Sequence, residues 1–468
     1  MYKIIILLVG IFVPILGFGA SDSIPSSLKK ALDRYAAEHP SNVAIKIVNV
    51  RNAKSLYQFN ADVPMNPAST MKLVTTKAAL DILGSGYRWF TDVMITGKIE
   101  NKTLTGDIYF VGNGDPSLDI RRFEELISAI KKRGISNVNG SIYVDRSSFL
   151  LPQHDSSLFD AKPIRPYNAG ADAMLINENL FTLDFIPNVQ DDSVSITSSP
   201  SAPKIQNKLK LSKGRCKTWP KTPTMKDGVI IFEGSYSKSC GEKRRQYSFF
   251  PSHDYFSHVF NKLWYDRIPS TIPPIRAAKT PASARLLYRA TSEPLSSAIH
   301  RANKFSSNVV ARQIFLTLST PENELASIER SRKMLSRWLR DKNIIDEGFF
   351  IDNGSGLSRN SRLTASLLSH VLRWGWRDPS MPEFLSSLSV PGVDGTLQKR
   401  FSGDPILGRA HLKTGFLDGV RSIAGYLHLH NGETLSLVII MSGDKLSKNR
   451  NNIESLVSLI YNAPWRIE

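Results

Sequence analysis

The sequence predicts an α/β fold in which both ends of the chain build one domain and a large β-rich insertion separates them. Three observations carry this. Apolar residues alternate as in strands near residue 45 and again after residue 420. After about residue 290, and once more over 451–461, they recur at helical spacing. Between about 90 and 285 short strand-like runs alternate with Gly, Asn, Asp and Pro turns. A length of 468 residues is about three ~150-residue domains. With 41% apolar and 22% charged residues, disorder, collagen, coiled coil and a multi-span membrane protein are poor fits.

The elements follow in chain order. Lys3 precedes an apolar run from Ile4 to Phe18 that ends at small residues, Gly19 and Ala20. This is the pattern of an export signal over residues 1–20. The run carries Pro14 and falls short of the ~20 residues a membrane anchor needs, so the mature protein is expected to be exported and soluble. Ser27–Ala37 reads as a helix, Val43–Val50 and Lys54–Phe59 as strands, and Ser69–Leu83 as a helix entered after Pro67 and closed by Gly84. In the middle region Asp107–Val111 and Ser141–Val144 read as strands and Arg121–Lys132 as a helix. Near the end, strands Ser422–His430 and Glu433–Met441 flank Asn431-Gly432, a hairpin turn signal, and Asn451–Tyr461 reads as a helix. The expected division is 21–90 with 286–468 as one domain, 91–184 with 247–285 as the inserted domain, and 185–246 as a smaller module nested in it.

Sixty Lys plus Arg against 42 Asp plus Glu give a net charge of +18, enough to draw an anionic partner. Export makes an anionic wall polymer or membrane surface the expected partner and argues against nucleic acid. Basic residues cluster in the nested module (Lys208, Lys210, Lys213, Arg215, Lys217, then Lys243, Arg244, Arg245), where they read first as a solvated face. Cys216 and Cys240, the two cysteines of the chain, are expected to pair in an oxidising compartment, a cross-link worth about 3 kcal/mol. His428 and His430 read as a strand pair rather than as metal ligands, since no acidic third ligand lies near.

Three short motifs suggest chemistry. In Ser69-Thr-Met-Lys72 the serine and lysine share a helix face, so an amine can reach a hydroxyl. Such an amine acts as a base only when burial or a second cation lowers its pKa. Spacing alone is weak, for Ser26 and Ser128 also have a Lys three residues on. Ser306-Ser307-Asn308 lies at a break in a helical stretch, where Ser could pass a proton and Asn hold an amide. Lys413-Thr414-Gly415 stands just before the hairpin, where Gly admits a substrate backbone and Lys with Thr can hold a carboxylate. The triple, in this order, is that of penicillin-binding proteins and β-lactamases.

Together with Gly112-Asn-Gly-Asp-Pro-Ser117, Asn353-Gly-Ser-Gly-Leu-Ser-Arg359 and Pro391-Gly-Val-Asp-Gly-Thr396, these motifs make the chain resemble the class C low-molecular-mass penicillin-binding proteins, the D-alanyl-D-alanine carboxypeptidase/endopeptidase family. The resemblance implies a transpeptidase-like domain, an antiparallel sheet flanked by helices, carrying a large insertion. It implies a periplasmic serine hydrolase without cofactor or metal, acting on peptidoglycan stem peptides and inhibited by β-lactams. Ser69 would be the nucleophile, Lys72 the base, Ser306 the proton relay, Asn308 a holder of the substrate amide, and Lys413 a modulator of local pKa values. Thr414, Gly415 and Phe416 would line the substrate strand, with the Ser69 and Phe416 N–H groups as oxyanion donors. Arg359 and an insertion aspartate, for which Asp145 is the candidate, would meet a diaminopimelate side chain. Phe416 stands where the family commonly has Ser or Thr. A β-lactamase, or a non-catalytic penicillin-recognising wall-binding protein, are the alternatives.

Overall fold

The computed structural model of the chain describes residues 23–216, 222–268, 271–320, 325–344, 347–443 and 451–465. The export signal and Lys217 lie outside them. No helix among the described residues is long and apolar enough to cross a membrane.

Both chain ends meet in one five-stranded antiparallel sheet. Its order is Ala410–Leu417, Val420–His428, Thr434–Ser442, Val43–Asn49, Ser55–Phe59. Val420–His428 and Thr434–Ser442 are buried almost throughout, because helices cover both faces. On one face helices Ser26–Glu38 and Asn451–Tyr461 bring Leu28, Leu32, Val457 and Ile460 against Ile45, Ile423 and Ile439. On the other, Ala44, Ala424 and Ile440 join a core with helices Met71–Leu83, Leu295–Lys304, Asn308–Thr317 and Ala365–Arg377. Helix Met71–Leu83 has every residue from Met71 to Leu80 buried. Buried on all sides, Lys72, Thr75, Thr76 and Lys77 included, the helix has no solvent face over this stretch and sits at the centre of the helical layer.

The insertion has its own mixed sheet, ordered Ile275–Ala277, Ile142–Asp145, Ile108–Gly112, Phe90–Ile95, Arg285–Thr291. Here the expected boundary shifts. Arg285–Thr291, assigned from sequence mostly to the terminal domain, pairs antiparallel with Phe90–Ile95, so the chain returns to that domain only at Ser292. Helices Ile120–Lys132 and Ser252–Arg267 cover this sheet, with Phe110, Phe123 and Phe256 in mutual ring contact. The nested module consists of two three-stranded sheets and begins at Phe181, since Phe181–Asn188 pairs with both Ser193–Ser199 and Lys243–Tyr247. Cys216 and Cys240 are disulfide-bonded within it. Lys208, Lys210, Lys213, Arg215 and Arg245 are exposed, and Lys243 is half-buried. Arg244 is held by Asp184 at 2.7 and 3.1 Å.

Candidate active site

Ser69 lies in a 3-10 turn, Ala68–Thr70, that runs straight into helix Met71–Leu83. Ala68 before it has φ +47°, a left-handed conformation that costs a non-glycine residue free energy and persists only where surroundings enforce it. They do so here. Pro67 O accepts from Thr70 Oγ1 at 2.7 Å and from Ser422 Oγ at 2.6 Å, and Asn66 Oδ1 accepts from Ala68 N–H at 2.9 Å. The turn holds Ser69 half-buried at a helix start, where unpaired N–H groups favour developing negative charge.

Lys72, one turn on, is fully buried. Its Nζ lies 3.0 Å from Ser69 Oγ, 2.7 Å from Asn308 Oδ1 and 2.5 Å from Ser355 O. Burial first, then the cations Lys413 and Arg312, hold its pKa well below the lysine range. Asn308 Oδ1 and Ser355 O only accept, so each takes an N–H of the amine, which also donates to Ser69 Oγ; loss of one proton from Nζ would turn that last contact round and set a lone pair against the hydroxyl.

The helix break read from sequence falls between Leu295–Lys304 and Asn308–Thr317. Ser306 occupies it with φ +60°, and its Oγ accepts from Lys413 Nζ at 2.9 Å. Asn308 opens the second helix, its Nδ2 3.4 Å from Tyr167 O.

Lys413, Thr414 and Gly415 lie within the edge strand Ala410–Leu417. Lys413 is fully buried, donates also to Thr414 O at 2.9 Å, and burial lowers its pKa to about 7. Leu412 exchanges both backbone hydrogen bonds with Ser389 on the sheet's outer side. By the two-residue period of a strand, the N–H groups of Thr414 and Phe416 face that side too. Gly415 has a packing reason absent from the sequence reading. A Cβ there would stand 2.1 Å from Ser422 Oγ, 2.8 Å from Pro67 O and 3.0 Å from Ala68 Cβ, so glycine is what brings this strand against the Ser69 turn. Gly356 serves the opposite wall, where a Cβ would meet Ala68 O at 1.9 Å.

Beside this cluster lies a cavity of about 570 Å³ lined among others by Arg312, Arg359, Phe159, His154 and Asp155. The structure does not bring Asp145 there. Asp145 is buried at the end of its strand, and its two oxygens accept the Ser147 N–H at 2.9 Å and the Thr280 N–H at 2.7 Å. Two aspartates, Asp155 and Asp352, share the cavity with Arg359, and Asp352 is paired with Arg332. Arg359 donates to Asp418 O at 2.7 Å and its guanidinium lies over the Phe159 ring. Phe416 is 53% exposed, with the Arg421 guanidinium 3.8 Å from its ring centre. His428 contacts His411 at 3.0 Å, whereas His430 packs on Tyr461, so the two do not converge.

Sequence reasoning missed Ser355 and Arg312. Ser355 contributes a carbonyl, which no residue type advertises. Arg312 had a signal, since it follows Asn308 by one helical turn.

A sequence profile of the D-Ala-D-Ala carboxypeptidase 3 (S13) family matches residues 28–462. The chain belongs to that family. As an S13 member it is a serine-type D-Ala-D-Ala peptidase, a hydrolase. Among S13 relatives, the D-alanyl-D-alanine carboxypeptidase DacB of Haemophilus influenzae is 23% identical over 417 residues, covering 86% of each chain. The D-alanyl-D-alanine carboxypeptidase of Actinomadura sp. strain R39 is 22% identical over 416 residues, 85% of this chain and 77% of that one. The crystal structure of penicillin binding protein 4 from H. influenzae shares the fold, with a TM-score of 0.75 and 22% identity over 92% of this chain and 98% of the other.

Proposed function

We propose that this S13 enzyme cleaves D-Ala-D-Ala ends, D-Ala-diaminopimelate cross-links of peptidoglycan, or both, through an acyl-enzyme on Ser69, outside the cytoplasm, and that penicillin acylates the same serine. The observation that carries the reading is the buried Lys72 Nζ 3.0 Å from Ser69 Oγ, with its pKa held well below the lysine range. As Oγ bonds to the scissile carbonyl carbon, its proton passes to Lys72. The carbonyl oxygen, now negative, is met by the Ser69 and Phe416 N–H groups, each such donor worth roughly 3 kcal/mol in serine hydrolases. When the C–N bond breaks, the leaving amine takes the Ser306 hydroxyl proton; Lys413, with its pKa about 7, refills Ser306 and regains its proton from the Lys72 ammonium, so the Ser69 proton ends on the amine and both lysines are restored. Water then splits the ester and restores the Ser69 hydroxyl.

Binding is shared along the edge strand. Thr414 Oγ1, 3.0 Å from Thr396 Oγ1, meets the terminal carboxylate, and Asn308, whose Oδ1 holds Lys72, offers Nδ2 to the substrate amide. Arg359 receives a diaminopimelate carboxylate, with Asp155 in place of Asp145 as the acidic partner for the amine. Labelled penicillin followed by peptide mass analysis tests the reading: a stable adduct on Ser69 supports it, and a folded protein that takes no label, or takes it elsewhere, overturns it. Muropeptide digestion then reports which bond is cut.

A further inference from the structure

The insertion touches the active site at the turn that carries Ser306, and one contact there has unusual geometry. Asn177, Glu178 and Asn179 have φ of +50°, +52° and +62°, three successive non-glycine residues in the left-handed region. Such a run costs free energy and survives only where other contacts hold it. Asn179 is anchored by Nδ2 to Phe250 O at 2.6 Å, and Asn177 by Nδ2 to Leu180 O at 2.7 Å. Between them Glu178 is turned out of the insertion toward the terminal domain. Its Oε2 accepts from Ser307 Oγ at 2.5 Å, and its Oε1 forms an ion pair with Arg301, which donates to Pro116 O at 2.8 Å. Ser307 in turn caps helix Asn308–Thr317 by accepting the Val310 N–H, and its own N–H bonds Arg301 O. One carboxylate therefore ties both sides of the helix break to the insertion, with Ser306 between them at φ +60°.

We infer that Glu178 is a positioning residue for acyl transfer, holding Ser306 against Lys413 and Asn308 against Lys72 by clamping Ser307 and Arg301. The inference rests on the role of Ser306 proposed above. The insertion then completes the site: without the clamp, Ser306 relaxes toward the right-handed conformation that L-residues prefer and its Oγ leaves Lys413. A displacement near 1 Å in such a group costs on the order of a hundredfold in rate.

The test compares full-length wild type, Glu178→Ala, Ser307→Ala and the double variant, by the rate of penicillin acylation, by kcat and KM on a D-Ala-D-Ala peptide, and by melting temperature. Wild type labelled on Ser69 establishes the underlying reading independently of the variants. Glu178→Ala is expected to lower kcat and acylation by about 10–100-fold with KM within twofold. The double variant is expected to be no slower than the slower single one, because both changes break one contact. Folded Glu178→Ala acylating within twofold of wild type overturns the inference, and so do effects that multiply in the double variant. Should Glu178→Ala fail to fold, Glu178→Gln decides by the same rates, since it keeps the shape and an acceptor but loses the charge facing Arg301.

Discussion

Gly415→Ala probes how the third motif is held against the first. The added Cβ would lie 2.1 Å from Ser422 Oγ, 2.8 Å from Pro67 O and 3.0 Å from Ala68 Cβ. Ordinary contact needs at least about 3.4 Å, so either the strand backs away by about 1 Å or the hydroxyl swings aside. Swinging aside breaks the 2.6 Å bond from Ser422 Oγ to Pro67 O, one of the bonds that hold Ala68 at positive φ. The two remaining contacts stay too close in any case. Overpacking of this kind costs about 1–3 kcal/mol, offset by up to about 1 kcal/mol from the stiffer unfolded chain. At about 2–4 °C per kcal/mol, the expected result is a Tm lowered by a few degrees. Catalysis is expected to suffer more, because a retreat of about 1 Å takes the Phe416 N–H from the place proposed for the oxyanion and Lys413 from Ser306, about a hundredfold loss. Stopped-flow acylation by a fluorescent penicillin and thermal melts measure both. Adding Ser422→Ala, which removes the nearest clash, should recover part of the rate. An unchanged Tm with acylation within threefold of wild type would refute the reasoning that this contact sets the strand's distance from Ser69.

Acylation should follow a bell in pH: it falls on the acid side as Lys72 takes up a proton, and on the alkaline side as Lys413 passes its pKa of about 7 and no longer refills Ser306. A rate that does not fall as the pH rises through about 7 to 9 contradicts the Lys413 assignment. Because folding lowers the pKa of Lys413, the unfolded chain binds more protons from about pH 7 up to the ordinary lysine pKa, so stability rises with pH across that window. Lys413→Met should accordingly melt several degrees higher than wild type at pH 7 while losing acylation, and a lower melt would count against a strained, buried amine. Phe416→Thr supplies a hydroxyl on the outer edge of the strand and should raise cleavage of pentapeptide relative to that of cross-linked dimer, measured by muropeptide chromatography. An equal ratio in both proteins removes Phe416 from the choice of bond.

The sheet and helices of the terminal domain were legible because their apolar periods are strong. Val43–Asn49 and Asn451–Tyr461 fall within a residue of where alternation and helical spacing put them. Lys413-Thr414-Gly415 was harder to place on a strand. Its local sequence carries a lysine and a glycine, and only the partner Val420–His428 and the burial of Lys413 make it one. Arg285–Thr291 was assigned to the other domain since its own composition says nothing of its pairing with Phe90–Ile95, far away in the sequence. Within the site, Ser69, Lys72, Ser306, Asn308 and Lys413 stood out through their motifs, whereas Arg312 did not. Asp145 did not come to the cleft because a strand-end aspartate can spend both oxygens on nearby N–H groups, and sequence does not distinguish that from an aspartate facing substrate. Glu178 had no motif, for its partners Ser307 and Arg301 are near only in three dimensions.

The strand order Thr434–Ser442 beside Val43–Asn49 has a consequence for biogenesis. A chain made amino end first delivers the hairpin Val43–Phe59 long before the strand that completes it. Until residue 442 has emerged, that hairpin offers bare backbone and an apolar edge, the form of strand most prone to pair with the wrong neighbour. The insertion, contained between Phe90 and Thr291, closes its own sheet much earlier. Synthesis thus passes through a stage with a closed middle and an incomplete terminal sheet. It also ensures that a polypeptide cut short before its last strands carries Ser69 and Lys72 without a working enzyme around them.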